Sequence, residues 1–412
     1  MLSTRFSVTV TALLVALAAL ALVTGCGSDK SSNPTVSLSL DLDSTAVELC
    51  ATLEIAADVA HAEDDAVTWY VNGILGGNAT VGTISQANPA TYSAPEAVPG
   101  EATVTVTAIS QEDTTKSASG RVTVQFTVIH VDAGAGSDET GTGCATRPFK
   151  SITHGLSAAE PGMTVLAADG IYNVANGEAF PINIDGAVTL AGESQEGTII
   201  REDSQSSYGM NLSGQGPRLR RLTLDNNGAD IEGWVIGVFV TACTESALVD
   251  SLFLPDRGGF SVIRVDSTHA TTVRNCRLEP EGTPEGRGFE IVFDDTGTVV
   301  TDCVISGFTE GIFFNYSSDA LVEDCIIEDN LYGVEMCCYV SETSNPHPDF
   351  GGGPRGSLGG NIIRNNTQYG LHNPGTGTVY AKYNTWTHTP PVVGCTAGSD
   401  VCNDGTGAII LE

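Results

Sequence analysis

The chain has 412 residues, with 50 Asp and Glu against 18 Lys and Arg, for a formal net charge of −32. That balance argues against nucleic acid and anionic membrane surfaces as partners, and disfavours polyanionic glycans unless a cation bridges them. The length allows a large core and exceeds one small domain.

Residues 1–25 read as an export signal, with Arg5 ahead of an apolar run from Val8 to Val23. Val23-Thr-Gly-Cys26 resembles a bacterial lipobox, in which cleavage leaves Cys26 to carry lipid. An uncleaved membrane helix is the rival, because the apolar run is nearly long enough to span. Gly27, rather than Asp, after the Cys resembles sorting to the outer membrane of a Gram-negative cell. Residues 26–33 are then a lipidated polar tether.

Residues 34–129 alternate apolar and polar. Val36, Leu38, Leu40 and Leu42 share one strand face, as do Val67, Trp69 and Val71, then Val104, Val106 and Ala108, then Val122, Val124, Phe126 and Val128. Asn72-Gly73 is a hairpin turn signal. Val67-Thr-Trp-Tyr-Val-Asn-Gly73, Val81-Gly-Thr-Ile84 and Ala90-Thr-Tyr-Ser-Ala-Pro95 resemble bacterial immunoglobulin-like domains, which implies a β-sandwich serving as a spacer or adhesion stalk. Trp69 belongs in its core.

Residues 130–412 open on a Gly-rich loop in which Asp132, Ser137 and Asp138 would either hold calcium or serve turn chemistry. Phe149 to Ala159 reads as a short amphipathic helix with Ile152, Leu156 and Ala159 on one face, placed to cover the open end of a stack. A phrase then recurs: Val273-Arg-Asn-Cys276, Val300-Thr-Asp-Cys303 and Val322-Glu-Asp-Cys325. The extended series is Leu222, Ser251, Cys276, Cys303, Cys325, Asn361 and Asn384. A parallel series of Gly237, Gly259, Gly288, Gly311, Gly333 and Gly370 is each followed by an apolar residue. Repeats near 22 residues, rich in Val, Ile, Thr and Phe and without a helical period, predict parallel β-helix rungs. Cys276, Cys303 and Cys325 would stack as an interior thiol column, against a metal or redox reading. Gly is expected at a backbone geometry that other residues resist.

The segments Val131-Asp-Ala-Gly-Ala-Gly-Ser-Asp-Glu-Thr-Gly141, Arg147-Pro-Phe-Lys-Ser-Ile152, Phe350-Gly-Gly-Gly-Pro-Arg-Gly-Ser357 and Gly360-Asn-Ile-Ile363 resemble the DUF1565 family of the pectate-lyase-like right-handed β-helix superfamily. The resemblance implies a right-handed solenoid over about residues 129–395 and no assigned activity. The whole chain is therefore expected to be all-β: a right-handed parallel β-helix after an N-terminal immunoglobulin-like β-sandwich.

Chemistry is sought on the outward stripe two residues after each Gly: Phe239, Ser261, Glu290, Phe313, Glu335 and His372. Glu290 and Glu335, two rungs apart and flanking Phe313, are the candidate catalytic carboxylates, at a spacing near that of inverting glycosidases. Phe313, Tyr316, Asp294, Asp295 and His372 are the candidate substrate contacts. The rival is an ordinary solvated sheet face. Of the motifs shown by polygalacturonases of this fold, only Asp294-Asp295 is present, and the helix domain holds two lysines, Lys150 and Lys382. Pro346, His347, Pro348 and Asp349 tip an insertion between Cys337 and Gly359 that would carry binding or serve structure.

Export permits disulfides, and Cys395 and Cys402 are the expected pair. The partners of Cys50, Cys144, Cys243, Cys337 and Cys338 stay open, and no Cys-x-x-Cys or His cluster indicates zinc. The leading expectation is a lipid-anchored envelope protein whose β-helix binds polysaccharide, with calcium as the one cofactor considered. The alternatives are a polysaccharide lyase or glycoside hydrolase, and a non-catalytic structural or adhesion protein.

Overall fold

The computed structural model describes residues 35–204, 206–226, 236–245, 247–256, 261–266, 270–280, 286–292, 297–316, 319–336 and 346–412. The segment expected to be an export signal, the expected lipidation site Cys26, and Asp294, Asp295, Cys337 and Cys338 lie outside them.

Alternation in the first segment produces strands with one dry face. Val67, Trp69, Val71, Val104, Val106, Ala108, Val122 and Val124 are all buried. A five-stranded and a four-stranded sheet enclose this core. Asn72 and Gly73, both at positive φ, turn the hairpin between Val67–Val71 and Ile74–Leu75.

From Val128 the strands pair in parallel. Fifteen form one sheet and nine form another, and together they wind a solenoid of about eight turns. One contiguous apolar core runs inside it, from Ile129 to Val401. The helix spans Ile152–Ser157, shorter than the sequence pattern. Ser151 accepts from His154 N as N-cap, Asp138 accepts from the amides of Lys150 and Ser151, and Glu178 accepts from those of Ile152 and Thr153. Ile152 is fully buried, and the helix packs on strands Val128–Val131, Thr164–Ala167 and Ile182–Asp185 at the start of the coil. The two units are tied together. Cys50 and Cys144 form a disulfide across 94 residues, Arg147 pairs with Glu96, and Phe126 packs against both cores.

The interior column exists. Cys276, Cys303 and Cys325 are at most 1% exposed, and their thiols donate to the carbonyls of Arg274, Thr301 and Glu323. Burial first of all pushes the Cys276 thiol up, so it behaves as a small protonated hydrophobe. Asn361 continues the column: its Oδ1 accepts from Cys325 N, and its Nδ2 donates to Val322 O, Phe350 O and Asn384 Oδ1. A second amide column was not foreseen. Asn366 Oδ1 accepts from Asn330 N, and Asn330 Oδ1 accepts from Phe308 N.

Two register expectations are corrected. The column residue of its rung is Leu252, not Ser251, because Leu222 pairs with Leu252 and Val249 with Val273. Ser251 instead holds φ 57°, like Asn275, Asp302 and Asp324, each directly ahead of its column residue. The left-handed bend therefore belongs to these residues, not to the glycine series. Gly237, Gly288, Gly311, Gly333 and Gly370 serve close approach: a Cβ on any of them would lie 2.5–2.8 Å from a carbonyl oxygen of the next rung. Gly259 lies outside the described residues, and Val262 occupies the equivalent place, with its carbonyl over Gly237.

Candidate functional site

The nine-stranded sheet carries two adjacent side-chain columns on its outer face. The first follows the ladder Asn183, Asn211, Phe239, Arg264, Glu290, Phe313, Glu335 and His372. Arg264, not Ser261, is the member contributed by its rung. Seven ladder steps at the usual strand spacing extend it over roughly 34 Å.

The second column lies three residues earlier: Tyr208, Ile236, Ser261, Arg287, Glu310, Tyr332 and Tyr369. A regular strand puts residues i and i+3 on opposite faces. Here the ladder pairing skips the residue at each glycine position. As a result Arg287 reaches Glu290 at 2.7 Å, and the Tyr369 ring lies 4.9 Å from that of His372.

Glu290 does not have the setting of a catalytic acid. It is 1% exposed, accepts from Ser261 Oγ at 2.7 Å, and pairs with Arg287 and, at 3.3 Å, with Arg264. Two guanidiniums and a hydroxyl hold it as a charged strut. Phe313 is 5% exposed and lies under Arg287, whose guanidinium carbon is 3.6 Å from the ring centroid. It is therefore no open platform for a sugar. Tyr316 is 37% exposed at the end of its strand. Glu290 and Glu335 stand two ladder steps apart with Phe313 between them.

The perturbed carboxylate is Glu310, which sequence reasoning passed over. Burial raises its pKa, the Arg287 guanidinium 3.9 Å away opposes, and the negative charges of Glu335 and Glu290 raise it further. Glu335 lies 3.5 Å from His372 Nδ1, and Asp404 lies 3.1 Å from Nε2. Burial lowers the His372 pKa, but the two carboxylates outweigh it and the net shift is upward. The Tyr332 ring stacks near-parallel to His372 at 5.9 Å. The signal that would have found Tyr332, Tyr369 and Glu310 is the place three residues before each outward position, which is visible once the glycine is read as a residue the pairing skips.

His372, Cys402 and Asp404 have metal-ligand proximity, but Cys402 is joined to Cys395 in a disulfide, so its sulfur is no thiolate ligand. In the Gly-rich loop, Asp132 accepts from the amides of Gly134 and Ala135. Asp138 spends one oxygen on two amides and the other on Ser151 Oγ. Turn and cap chemistry accounts for both carboxylates. Asp349, at the tip of the insertion, is fully buried and accepts from the amides of Gly351, Gly353, Arg355, Gly356 and Ser357. That accounts for the Gly-rich segment after it as an anion nest closing the coil.

A family model described as "Protein of unknown function (DUF1565)" matches residues 134–393. No curated protein matches the chain. Among solved structures, the chain is similar to a rhamnogalacturonan lyase (TM-score 0.42, 13% identity, 65% of this chain and 74% of that one). It is also similar to the A-module of the Azotobacter vinelandii mannuronan C-5 epimerase AlgE6 (TM-score 0.30, 16% identity, 62% and 89%). A third is the GH136 lacto-N-biosidase from Eubacterium ramulus (TM-score 0.38, 11% identity, 69% and 68%). At such scores the functional reading rests on this chain's own geometry.

Proposed function

The chain belongs to the DUF1565 family, and from that premise we propose that it is a cell-envelope lipoprotein whose solenoid binds an extended polysaccharide along the outer face of the nine-stranded sheet. The observation that carries this reading is the partly exposed Tyr332 ring, backed by buried Tyr369 and set against His372 beside Glu335, at one end of a row roughly 34 Å long. Ring faces flanked by hydrogen-bonding carboxylates suit the apolar faces and hydroxyl edges of sugars. The lipobox-like Val23-Thr-Gly-Cys26 supports an outer-membrane or cell-surface lipid anchor. The immunoglobulin-like pattern supports a stalk, and the right-handed crossover rule for parallel strands supports a right-handed coil.

A glycan array probed with residues 35–412, with and without calcium, tests the reading. At least one extended glycan binds, and Tyr332→Ala weakens it about tenfold or more, Tyr332→Phe by less, while the fold persists. Undiminished binding in Tyr332→Ala overturns it. A second reading is glycoside hydrolysis with Glu310 as acid, favoured by its raised pKa. It predicts reducing-end release that Glu310→Gln abolishes.

A further inference from the structure

The outer row stops at Asn183, because its strand Ile182–Asp185 is the edge strand of the nine-stranded sheet. The capping helix stands beside that edge, and a cavity of about 500 Å³ opens between the two. We propose that this cavity seats the terminal sugar of the bound glycan, and that this sugar is a 6-deoxyhexose. The inference rests on the glycan reading above and names the end that the outer face recognises.

The lining selects the class. Leu156, Ala159, Phe180 and Val188 form an apolar wall, and the first three are only partly buried against the solenoid core. The polar side chains have mostly spent their donors inside the protein. Thr153 Oγ donates to Glu178 and accepts from Ala179 N, Ser157 Oγ donates to His154 O, and Asn183 Nδ2 donates to Pro181 O. What they still offer is chiefly acceptors: the Ser157 lone pairs, Asn183 Oδ1 beyond its one bond from Asn211, and the exposed Asp185 carboxylate. Asp185 accepts from Ser213 Oγ at 3.3 Å and from no other group among the described residues. A fitting ligand therefore brings hydroxyl donors to one side and an apolar group to the other. A 6-deoxyhexose carries ring hydroxyls and a methyl where an ordinary hexose carries a hydroxymethyl, which would press a hydroxyl against the apolar wall. Among the described residues no cationic side chain lines the cavity, so a carboxylate, sulfate or phosphate terminus meets Asp185 with no counter-charge.

A separate observation places a sugar platform beside the cavity. Tyr208 and Phe239, both partly exposed, stack near-parallel with ring centroids 5.0 Å apart. Phe239 stands two ladder steps from Asn183, roughly 10 Å. A glycan whose end sits in the cavity thus has aromatic surface under its next unit.

The test is a methyl-resolved NMR titration of the full chain with methyl α-L-rhamnoside, methyl α-L-fucoside and methyl β-D-quinovoside, each against its 6-hydroxylated parent glycoside. At least one 6-deoxy glycoside binds about tenfold or more tightly than its parent and shifts the Leu156 and Val188 methyl resonances. Ala179→Trp fills the cavity from an exposed place on its rim, and it and Asp185→Ala each weaken that binding about tenfold or more. Leu358→Trp, at an 80% exposed position away from the cavity, retains it. Equal affinity within every pair, no binding by any glycoside, or binding that survives Ala179→Trp overturns the terminal subsite. The glycan reading then still stands if an array glycan binds and loses affinity in Tyr332→Ala. Tighter binding of methyl N-acetyl-β-D-glucosaminide than of all three 6-deoxy glycosides overturns the 6-deoxyhexose assignment. A blank array overturns the glycan reading and the inference with it.

Discussion

The interior column at the bend and the outer row of the nine-stranded sheet are built by the same rungs, yet only the first repeats in sequence. Inside, each residue has copies of itself above and below and one carbonyl to satisfy, so Cys follows Cys and Asn follows Asn. Outside, the row passes from Arg264 to Glu290, Phe313, Glu335 and His372, each defined by a different neighbour. Interior repetition reports packing, and departure from repetition on the outside marks where individual residues acquire individual partners.

The comparison breaks first at Glu290, an outer-row residue buried as deeply as the interior. Glu290→Ala takes the 2.7 Å partner from Arg287, leaving it Glu310 at 3.9 Å, and one of two carboxylates from Arg264, which keeps Asp266, and should cost about 3–4 kcal/mol in denaturant unfolding. A cost under about 1 kcal/mol would show that the strut is not needed. Asn361→Ala tests the interior side. It leaves Cys325 N without its acceptor and takes one of two donors from Val322 O, Phe350 O and Asn384 Oδ1, which keep Ser357 Oγ, Asn384 Nδ2 and Asn361 N, for an expected loss of about 1–3 kcal/mol by the same measurement. Cys303→Ala removes only a small hydrophobe from the column and should cost about 1–2 kcal/mol. A larger loss, or loss of a bound metal, would reinstate the metal or redox reading. Smallest is a pH effect. The folded pKa of His372 is raised above its unfolded value, so its stabilising contribution is full below the unfolded pKa and is lost as pH rises through the folded one. His372→Asn should flatten thermal stability across that window, and an unchanged pH profile would remove the Glu335–His372–Asp404 linkage from the account.

The solenoid, the capping helix and the thiol column were legible because an interior position repeats one chemical letter per rung. The register slipped at Leu252 and Val262, where an ordinary apolar residue replaces the marker and the nearest small residue draws the alignment. The outer face was legible only as a row. Its second column stayed hidden because strict alternation places only the second residue after each glycine on that face, whereas the glycine sits close against the next rung and the pairing skips it. Burial of Glu290 and Phe313 was equally hidden, since sequence alternation marks which face a side chain takes and not what lies over it.

The most direct test is binding of the best array glycan to two tyrosine variants that differ only in place. Tyr332 lies partly exposed in the second column of the outer face, and Tyr383 is 73% exposed at the bend ahead of Asn384. The account predicts that Tyr332→Ala loses about tenfold or more in affinity while Tyr383→Ala binds as the parent does. The reverse pattern, or equal loss in both, would contradict it.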